Sequence, residues 1–210
     1  FSGFGNVCTM ATKGCRESCL FSAGRGKFNS VKQARINRTE MYFKERELFF
    51  DMLKVEVKLA IIKAKKKGLT PIFRLNGTSD IIWEKWNVFN GKNIFQIFPD
   101  VQFYDYTKIY TRFKRELPSN YHLTYSVSEL EDSLENAKTV IENGGNVAIV
   151  TDFKKGDNIP NEVLGFNAID GDLSDLTFKS PKGTAITLRA KGEAKKDISG
   201  FVKRVRHFYY

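Results

Sequence analysis

The chain has 210 residues, of which 41% are hydrophobic and 13% aromatic, and its formal net charge is +10. This composition excludes a disordered chain and provides enough apolar residues for the core of one full-sized domain. No apolar run approaches the length of a membrane span, and no signal peptide is visible. Because the chain begins with Phe1 rather than Met, we expect a natural N-terminal piece to precede it.

The first feature in chain order is the segment CTMATKGCRESC at residues 8–19, which holds all three cysteines, Cys8, Cys15 and Cys19. Three thiols in one short segment of a chain this long are not typical of a disulfide framework, and they favour a reducing cytoplasm and a metal or cluster site. Cys15 and Cys19 are four residues apart, so a helical turn would place both sulfurs on one face. Gly14 would permit the bend that brings Cys8 back to them.

Several interpretations of this segment stay open at the level of sequence. A structural zinc site would need a fourth ligand, for which only the distant His122 and His207 are candidates to complete a set of three cysteines and one histidine. A disulfide with a spare thiol does not explain the clustering. Three unconnected buried thiols would fit poorly with the polar neighbours of the cysteines. We favour an iron–sulfur cluster, in which three thiolates leave one iron for a protein side chain, a solvent molecule or a substrate.

Charged residues near the cysteines support the cluster interpretation. A cubane held by three thiolates is net negative, and the cations Arg16, Arg25 and Lys27 are close to the cysteines in sequence. Gly24 and Gly26 can offer backbone N–H groups to inorganic sulfide. Such cations and hydrogen bonds stabilise a cluster and tune its potential.

A helical pattern follows the cysteine segment from about residue 30 to residue 67, with a break expected near residues 37–39 and a stop at Gly68. Strand-length runs rich in β-branched and aromatic residues come next. Between them we expect a short apolar turn at 94–98, an amphipathic helix at 108–117, and a helix that a capping box at Ser128–Glu131 opens and Gly144 closes. The six predicted strands lie in 71–80, 101–108, 121–129, 146–152, 165–172 and 184–192.

The alternation of strands and helices predicts an α/β fold with mostly parallel strands. Both an open doubly wound sheet and a partial (β/α) TIM-like barrel are compatible with it. The glycine-rich fingerprints of dinucleotide and P-loop nucleotide sites are absent from the sequence, so those sites lose support. We expect one domain at 1–210, with a cluster-binding segment at 1–29, a β/α core at 30–192 and a basic C-terminal tail at 193–210.

Polar residues recur where the predicted strands end, which is the edge where function is found in both barrels and open sheets. Many such residues only cap helices or form turns. The candidates for the mouth of a substrate site are Asn76, Thr78, Asp80, Asp105, Lys108 and Ser126.

The arrangement is similar to that of the radical S-adenosylmethionine enzymes, where three cysteines before the first strand hold a [4Fe–4S] cluster whose free iron binds the amino and carboxylate groups of S-adenosylmethionine. The spacing here, C-x6-C-x3-C, departs from their usual C-x3-C-x2-C, so the similarity concerns the arrangement and not the motif.

A closer resemblance, over nearly the whole chain, is to the gene-product-88-like family of small phage proteins. It implies a phage protein in the cytoplasm of the infected bacterial host, with a [4Fe–4S] cluster on the three cysteines in a barrel that resembles the radical-SAM core. The blocks that carry it are NVCTMATKGCRESC, AGRGKFNSV, FRLNGTSDIIWE, FPDVQFYDYTK, LPSNYHLTYSVSE, GFNAIDGD and RAKGEAKKDISGFV.

Three functions follow as hypotheses. The first is a cluster-binding protein with a redox or electron-transfer role and an unknown redox partner or small molecule; His207, an aspartate or a residue of the missing N-terminus would be the fourth ligand. The second is a radical enzyme that binds S-adenosylmethionine at the open iron. The third is a basic nucleic-acid-binding protein with a structural cluster or zinc, which would use the basic excess and aromatics such as Tyr104, Tyr106, Tyr110, Phe208, Tyr209 and Tyr210.

Overall fold

The computed structural model describes residues 3–210. In this part of the chain the strands form one seven-stranded sheet with the order β1-β2-β3-β4-β7-β6-β5. All six predicted strands are present. The seventh strand, β5, was not predicted, because it has only two residues. The strands are β1 (Ile72–Phe73), β2 (Gln102–Thr107), β3 (Tyr121–Ser126), β4 (Asn146–Thr151), β5 (Glu162–Val163), β6 (Phe166–Asp170) and β7 (Ala185–Arg189).

The pairing of the strands is mostly parallel. β1 to β4 pair in sequence order, β7 pairs with β4, and β6 pairs with β7, all in parallel; only β5 is antiparallel, to β6. The predicted α/β class with mostly parallel strands is therefore confirmed. Strands β1 and β5 are the two edges, so the sheet is not closed, and a partial barrel stays a prediction.

The predicted helix at 30–67 is two helices, and the break lies at Glu45 rather than near residues 37–39. Glu45 has non-helical backbone angles (φ −132°, ψ 55°), whereas Thr39 stays helical and donates its hydroxyl to Arg35 O at 2.9 Å. Gly68 ends the second helix with φ +65°, as predicted. The α-helices of residues 3–210 are α1 (Lys13–Glu17), α2 (Asn29–Lys44), α3 (Arg46–Lys66), α4 (Ile94–Ile97) and α5 (Ser133–Glu142).

Two other helix predictions need correction. The expected capping box does not form, because the backbone N–H of Ser128 donates to Ser133 Oγ and the helix begins only at Ser133. The expected helix at 108–117 is reduced to a 3₁₀ turn at Tyr110–Lys114. The turn buries Arg112, whose guanidinium pairs with Glu84, so packing of this charged group overrides the amphipathic pattern.

Two large apolar clusters hold the sheet. An aromatic cluster joins α2 and α3 to the first strands, and a second cluster lies between α5 and β3, β4 and β7. The C-terminal residues are also folded onto the sheet, since Phe201 and Val202 are buried and Lys203 forms a parallel bridge with Thr151. Across residues 3–210, no helix is both long and apolar enough to cross a membrane.

Candidate functional site

A cavity of ≈ 370 Å³ opens where the parallel strands end. Its walls come from the segment that carries the cysteines, from the loops after β1, β2, β6 and β7, and from the C-terminal segment. Its polar lining residues are Cys8, Cys15, Ser18, Cys19, Arg74, Asn76, Thr78, Ser79, Asp80, Tyr106, Thr107, Lys108, Ser126, Asp172, Asp175, Arg189 and Lys191.

All three cysteines line this one cavity. Each is a half-buried free thiol, so the interpretation as a disulfide with a spare thiol is not supported. Cys15 lies on α1, whose first turn is capped by Thr12: its hydroxyl oxygen accepts a hydrogen bond from the Cys15 N–H at 3.2 Å. Cys19 follows the helix, and Cys8 precedes it in a turn closed by the Ala11 N–H, which donates to Cys8 O at 3.0 Å.

Cys8 is fixed against the loop that follows β1. Its thiol donates to Thr78 O at 3.4 Å, and the Asp80 N–H donates to Val7 O at 2.8 Å. Burial, and after it the neighbouring Asp80 carboxylate and the other two cysteines, raise the pKa of the Cys8 thiol to about 12, although Lys108 lowers it. Without a bound cation this thiol is therefore protonated at neutral pH, and a metal would have to displace its proton.

Lys108 is the cation that acts most strongly on the Cys15 thiol. Burial raises the pKa of Cys15, while Lys108 opposes this effect through its charge and a hydrogen bond. The Lys108 ammonium also donates to Ser126 Oγ at 2.9 Å and lies 5.1 Å from the ring centroid of Phe201. Lys108 is thus held beside the thiols by three different elements of the fold.

The three thiols do not converge on a point that suits a single ion. In residues 3–210 there is no group of three or more His, Cys, Asp or Glu side chains arranged to hold one metal ion. A four-iron cubane makes a different demand, because each of its thiolates ligates a different iron and the sulfurs therefore stay farther apart. Thiols are the donor type that such a cluster uses. The zinc candidates His122 and His207 do not line the cavity.

Asp80 stabilises the cavity wall through its hydrogen bonds. Its carboxylate accepts hydrogen bonds from Thr107 Oγ1 at 2.7 Å and from the Lys108 N–H at 2.8 Å, and Arg112 lies 3.4 Å away. Burial raises the pKa of Asp80 against the opposing effect of these partners. The residue joins the loops after β1 and β2, and both of its oxygens have partners.

Of the expected mouth residues, Asn76, Thr78, Asp80, Lys108 and Ser126 line the cavity, whereas Asp105 does not. Asp105 is 0% exposed and lies behind the wall, where it accepts from the Asn76 N–H at 2.7 Å and from the Tyr121 hydroxyl at 2.9 Å. Asp105 lies deeper along β2, whereas the residues at the carboxyl end of the strand, Tyr106, Thr107 and Lys108, reach the cavity.

Asn76 has a structural role in addition to its position in the wall. Its side-chain oxygen accepts from Ser79 Oγ, the Ile81 N–H and Trp83 Nε1 at 2.8 to 3.1 Å, and its amide donates to Ile81 O. The Asn76 side chain therefore fixes the conformation of the loop after β1. This loop places the Thr78 carbonyl next to the Cys8 thiol.

The three cations that were expected beside the cysteines do not line the cavity. Arg16, Arg25 and Lys27 are exposed and do not line the cavity. Gly24 and Gly26 belong to a 3₁₀ turn that is also outside the lining. Closeness in sequence was a poor guide here, because α1 directs its cysteine inward and Arg16 outward.

The cavity wall also has charged residues that were not among the candidates. Arg74 pairs with Asp175 at 3.2 Å and stacks over the Tyr106 ring with 4.5 Å to the centroid. Asp172 pairs with Arg189 at 3.3 Å and with Lys191 at 2.6 Å. Except for Asp175, these residues lie within or next to the predicted strands, so a wider search along those segments could have found them.

The aromatic residues considered for nucleic-acid stacking have other partners. Tyr104 is buried, and its hydroxyl donates a hydrogen bond to Asp175. The ring of Tyr106 packs against the guanidinium of Arg74. In the C-terminal segment, Tyr209 packs against Phe153 and donates to Glu162 O. These contacts favour a structural role for most of the set, and Phe208 stands out as 71% exposed.

Together the fold and the cavity define an α/β protein with a mostly parallel sheet and a thiol-lined cavity at the carboxyl edge of its strands. The family model described as gene product 88 matches residues 2–205, which is nearly the whole chain. The chain therefore belongs to this family of phage gene products, and that part of the resemblance is confirmed. No curated protein and no solved structure matches the chain, and the likeness to radical-SAM enzymes stays a prediction.

Proposed function

We propose that this phage protein holds a [4Fe–4S] cluster on Cys8, Cys15 and Cys19 and has a redox role. The observation that carries the proposal is that the only three cysteines of the chain, spread over twelve residues of CTMATKGCRESC, line a single cavity as free thiols. Thiols that served only as small hydrophobic side chains would have no reason to line the same open cavity.

The charges around the thiols agree with such a cofactor. A cubane with three thiolates is net negative, and the Lys108 ammonium is fixed beside Cys15 by its bond to Ser126. When bound, the cluster would supply one-electron transfer. The chain's own contribution is to hold three donors, to keep them half-buried, and to place one cation against them.

The size of the cavity favours a second candidate, in which S-adenosylmethionine or another small molecule occupies the remaining iron. A protein that only transferred electrons would need a fourth ligand for the cluster. It would have no use for an open cavity of ≈ 370 Å³ beside that cluster. The loop from Gly77 to Asp80 lies next to Cys8, and the cavity wall also holds the ion pairs of Arg74 and Asp172. Groups of both signs suit a zwitterionic ligand with a polar sugar.

The decisive experiment is anaerobic purification followed by iron, sulfide and zinc analysis and an absorbance spectrum. We expect a brown protein with about four irons per chain, and loss of the iron in each of the variants Cys8→Ser, Cys15→Ser and Cys19→Ser. Thr78→Val is the matched control, because it changes a side chain that lines the cavity, removes no thiol and keeps the backbone oxygen that accepts from Cys8. A colourless protein that takes up zinc, or no metal at all, after anaerobic reconstitution would contradict the proposal.

The same preparation separates the two candidates. A change in the electron paramagnetic resonance spectrum of the reduced protein on addition of S-adenosylmethionine, with formation of 5′-deoxyadenosine, supports the radical enzyme. Reversible one-electron reduction that does not respond to S-adenosylmethionine supports the redox carrier.

A further inference from the structure

Helix α3 is apolar on two opposite faces. On its inner face Phe50 and Val57 are each 2% exposed and pack into the aromatic core. The opposite face carries a row of five large apolar side chains, which we call the outer stripe. It consists of Leu48 (47% exposed), Met52 (43%), Val55 (54%), Leu59 (58%) and Ile62 (43%).

The spacing of the outer stripe is that of a coiled-coil seam. Its members follow one another at intervals of four, three, four and three residues, which corresponds to consecutive d and a positions of a heptad repeat. A helix that needs only one partner face has a single apolar stripe, and a helix that is apolar on both sides is normally covered on both. The 21 residues of α3 span about 31 Å, which is long enough for four or five seam layers.

The charges beside the stripe are complementary to a second copy of the same helix. The acidic residues of α3, Glu47, Asp51 and Glu56, all lie before Lys58, and its last turns are rich in lysine. An antiparallel pair therefore brings the acidic part of each helix to the basic part of the other. It also sets the two helix dipoles in opposite directions, which is favourable.

The residues that flank the seam distinguish the two orientations. Asp51 and Lys58 occupy g positions, whereas Glu56 and Lys63 occupy e positions. In a parallel pair, g faces e of the other copy, so Asp51 would meet Glu56 and Lys58 would meet Lys63. In an antiparallel pair, g faces g, so Asp51 can meet Lys58 of the other copy. Only the antiparallel arrangement therefore places oppositely charged residues of the two copies next to each other beside the seam.

We propose that the protein forms a two-fold symmetric dimer in which the outer stripes of two α3 helices pack in antiparallel orientation. Such an interface is isologous, since the same patch serves on both copies. A single helix pair buries little area compared with an obligate dimer, so the association is reversible, with a dissociation constant in the micromolar range. No residue of α3 lines the cavity, so both cavities stay open, and the dimer does not depend on the proposed cofactor.

Sedimentation equilibrium of the full 210-residue chain tests the dimer. Wild type is expected to show a concentration-dependent monomer–dimer equilibrium. Leu59→Lys keeps a good helix former but places a charge in the seam, and it is expected to weaken association by about tenfold or more. Leu173→Lys is the matched control, because Leu173 is 84% exposed outside α3, and it should associate like wild type.

A charge swap then tests the orientation. Asp51→Lys should weaken the antiparallel dimer, and the double variant Asp51→Lys with Lys58→Asp should restore it. In a parallel dimer Asp51→Lys would instead strengthen association, which would overturn the proposed arrangement. A wild-type chain that stays monomeric at every concentration, with circular dichroism showing that it is folded, overturns the dimer and assigns the stripe to a different protein.

Discussion

The Glu129 carboxylate accepts a 2.7 Å hydrogen bond from the backbone N–H of Gly14, a residue 115 positions earlier in the chain. Its other oxygen accepts a 2.6 Å bond from Thr12 Oγ1, and that hydroxyl in turn accepts the N–H of Cys15. The loop after β3 therefore caps the short helix that carries Cys15. A five-residue helix has little stability of its own, so this cap decides where the thiol lies.

The first prediction concerns that cap. Glu129→Gln removes the negative charge that accepts two hydrogen bonds, and it can place an amide donor opposite the Thr12 hydroxyl. The free energy needed to open the cysteine segment should therefore fall by about 1–3 kcal/mol. Hydrogen exchange followed by mass spectrometry should show faster exchange in peptides that cover residues 8–19. Glu131→Gln, at an exposed neighbour, is the control. Equal exchange in the two variants would mean that Glu129 does not hold the segment.

The second prediction concerns Gly14. An alanine in a helix is usually about 1 kcal/mol more favourable than a glycine, but a Cβ here would collide with Ser199 Oγ and lie 2.9 Å from Glu129 Oε1 and from Phe201 Cβ. Gly14→Ala should therefore lower the thermal midpoint. Gly77→Ala, where a Cβ has no heavy atom within 4 Å, should leave it nearly unchanged. A Gly14→Ala protein as stable as wild type would show that α1 is not packed as described.

The third prediction concerns the buried carboxyl of Asp105. Burial raises its pKa from the ordinary 3.8 to about 7, against the hydrogen bonds from Asn76 and Tyr121. Between about pH 4 and pH 7 the folded protein thus keeps a proton that the unfolded chain has lost, so this group makes stability fall as the pH rises through that window. Its contribution is most favourable below the unfolded pKa.

Denaturant unfolding at a series of pH values checks this dependence. The amide in Asp105→Asn does not titrate, so the unfolding free energy of the variant minus that of wild type should increase from about pH 4 to pH 7. This slope does not depend on the constant cost of altered hydrogen bonds. Asp100→Asn, at an exposed carboxyl, controls for the loss of one charge. Parallel curves for Asp105→Asn and wild type would contradict the raised pKa.

The fourth prediction concerns the buried ion pair of Arg112 and Glu84. Arg112 is 2% exposed, and its guanidinium donates to both Glu84 oxygens at 2.7 and 2.9 Å and to the Tyr121 hydroxyl at 2.9 Å. Arg112→Met leaves the largely buried Glu84 carboxylate, whose side chain is 14% exposed, without its cation, and should lower the unfolding free energy by about 3 kcal/mol.

A double-mutant cycle isolates the ion pair. Adding Glu84→Gln to Arg112→Met should cost less than the sum of the two single changes, because the unpaired charge is then gone. Arg115→Met, at an exposed neighbour of Arg112, should change stability by no more than about 0.5 kcal/mol. Strictly additive effects in the cycle would show that the two side chains are not coupled.

The central strands of this fold could be predicted from the sequence because they are buried over most of their length. Segments such as those around Phe103 and Ile149, both 0% exposed, are short apolar runs that end in polar residues, and parallel sheets produce this pattern. The cysteine site was also predictable in part, since three thiols in twelve residues are a local signal. Strand β5 has two residues and no such signal.

Contacts between distant parts of the chain account for what the sequence did not predict. Ser128-Glu129-Leu130-Glu131 has the pattern of a capping box, but the Ser128 N–H donates to Ser133 Oγ instead, and Glu129 between them caps the distant α1. Lys108 was a candidate mouth residue, yet its position beside Cys15 follows from the order of strands. Arg16 is adjacent to Cys15 in sequence and still lies outside the cavity. Local patterns cannot reveal which of several cations the fold brings inward.

The cavity walls have a consequence for the synthesis of the protein. Cys8, Cys15 and Cys19 leave the ribosome long before the residues they fold against, because Cys15 packs with Phe201 and Val202, and Ser22 accepts a hydrogen bond from the Glu193 N–H. The thiols therefore stay without their folded surroundings until residues 193–202 have been synthesised. Any metal would have to be delivered after these residues emerge, or be held by a nascent segment that the rest of the fold later encloses.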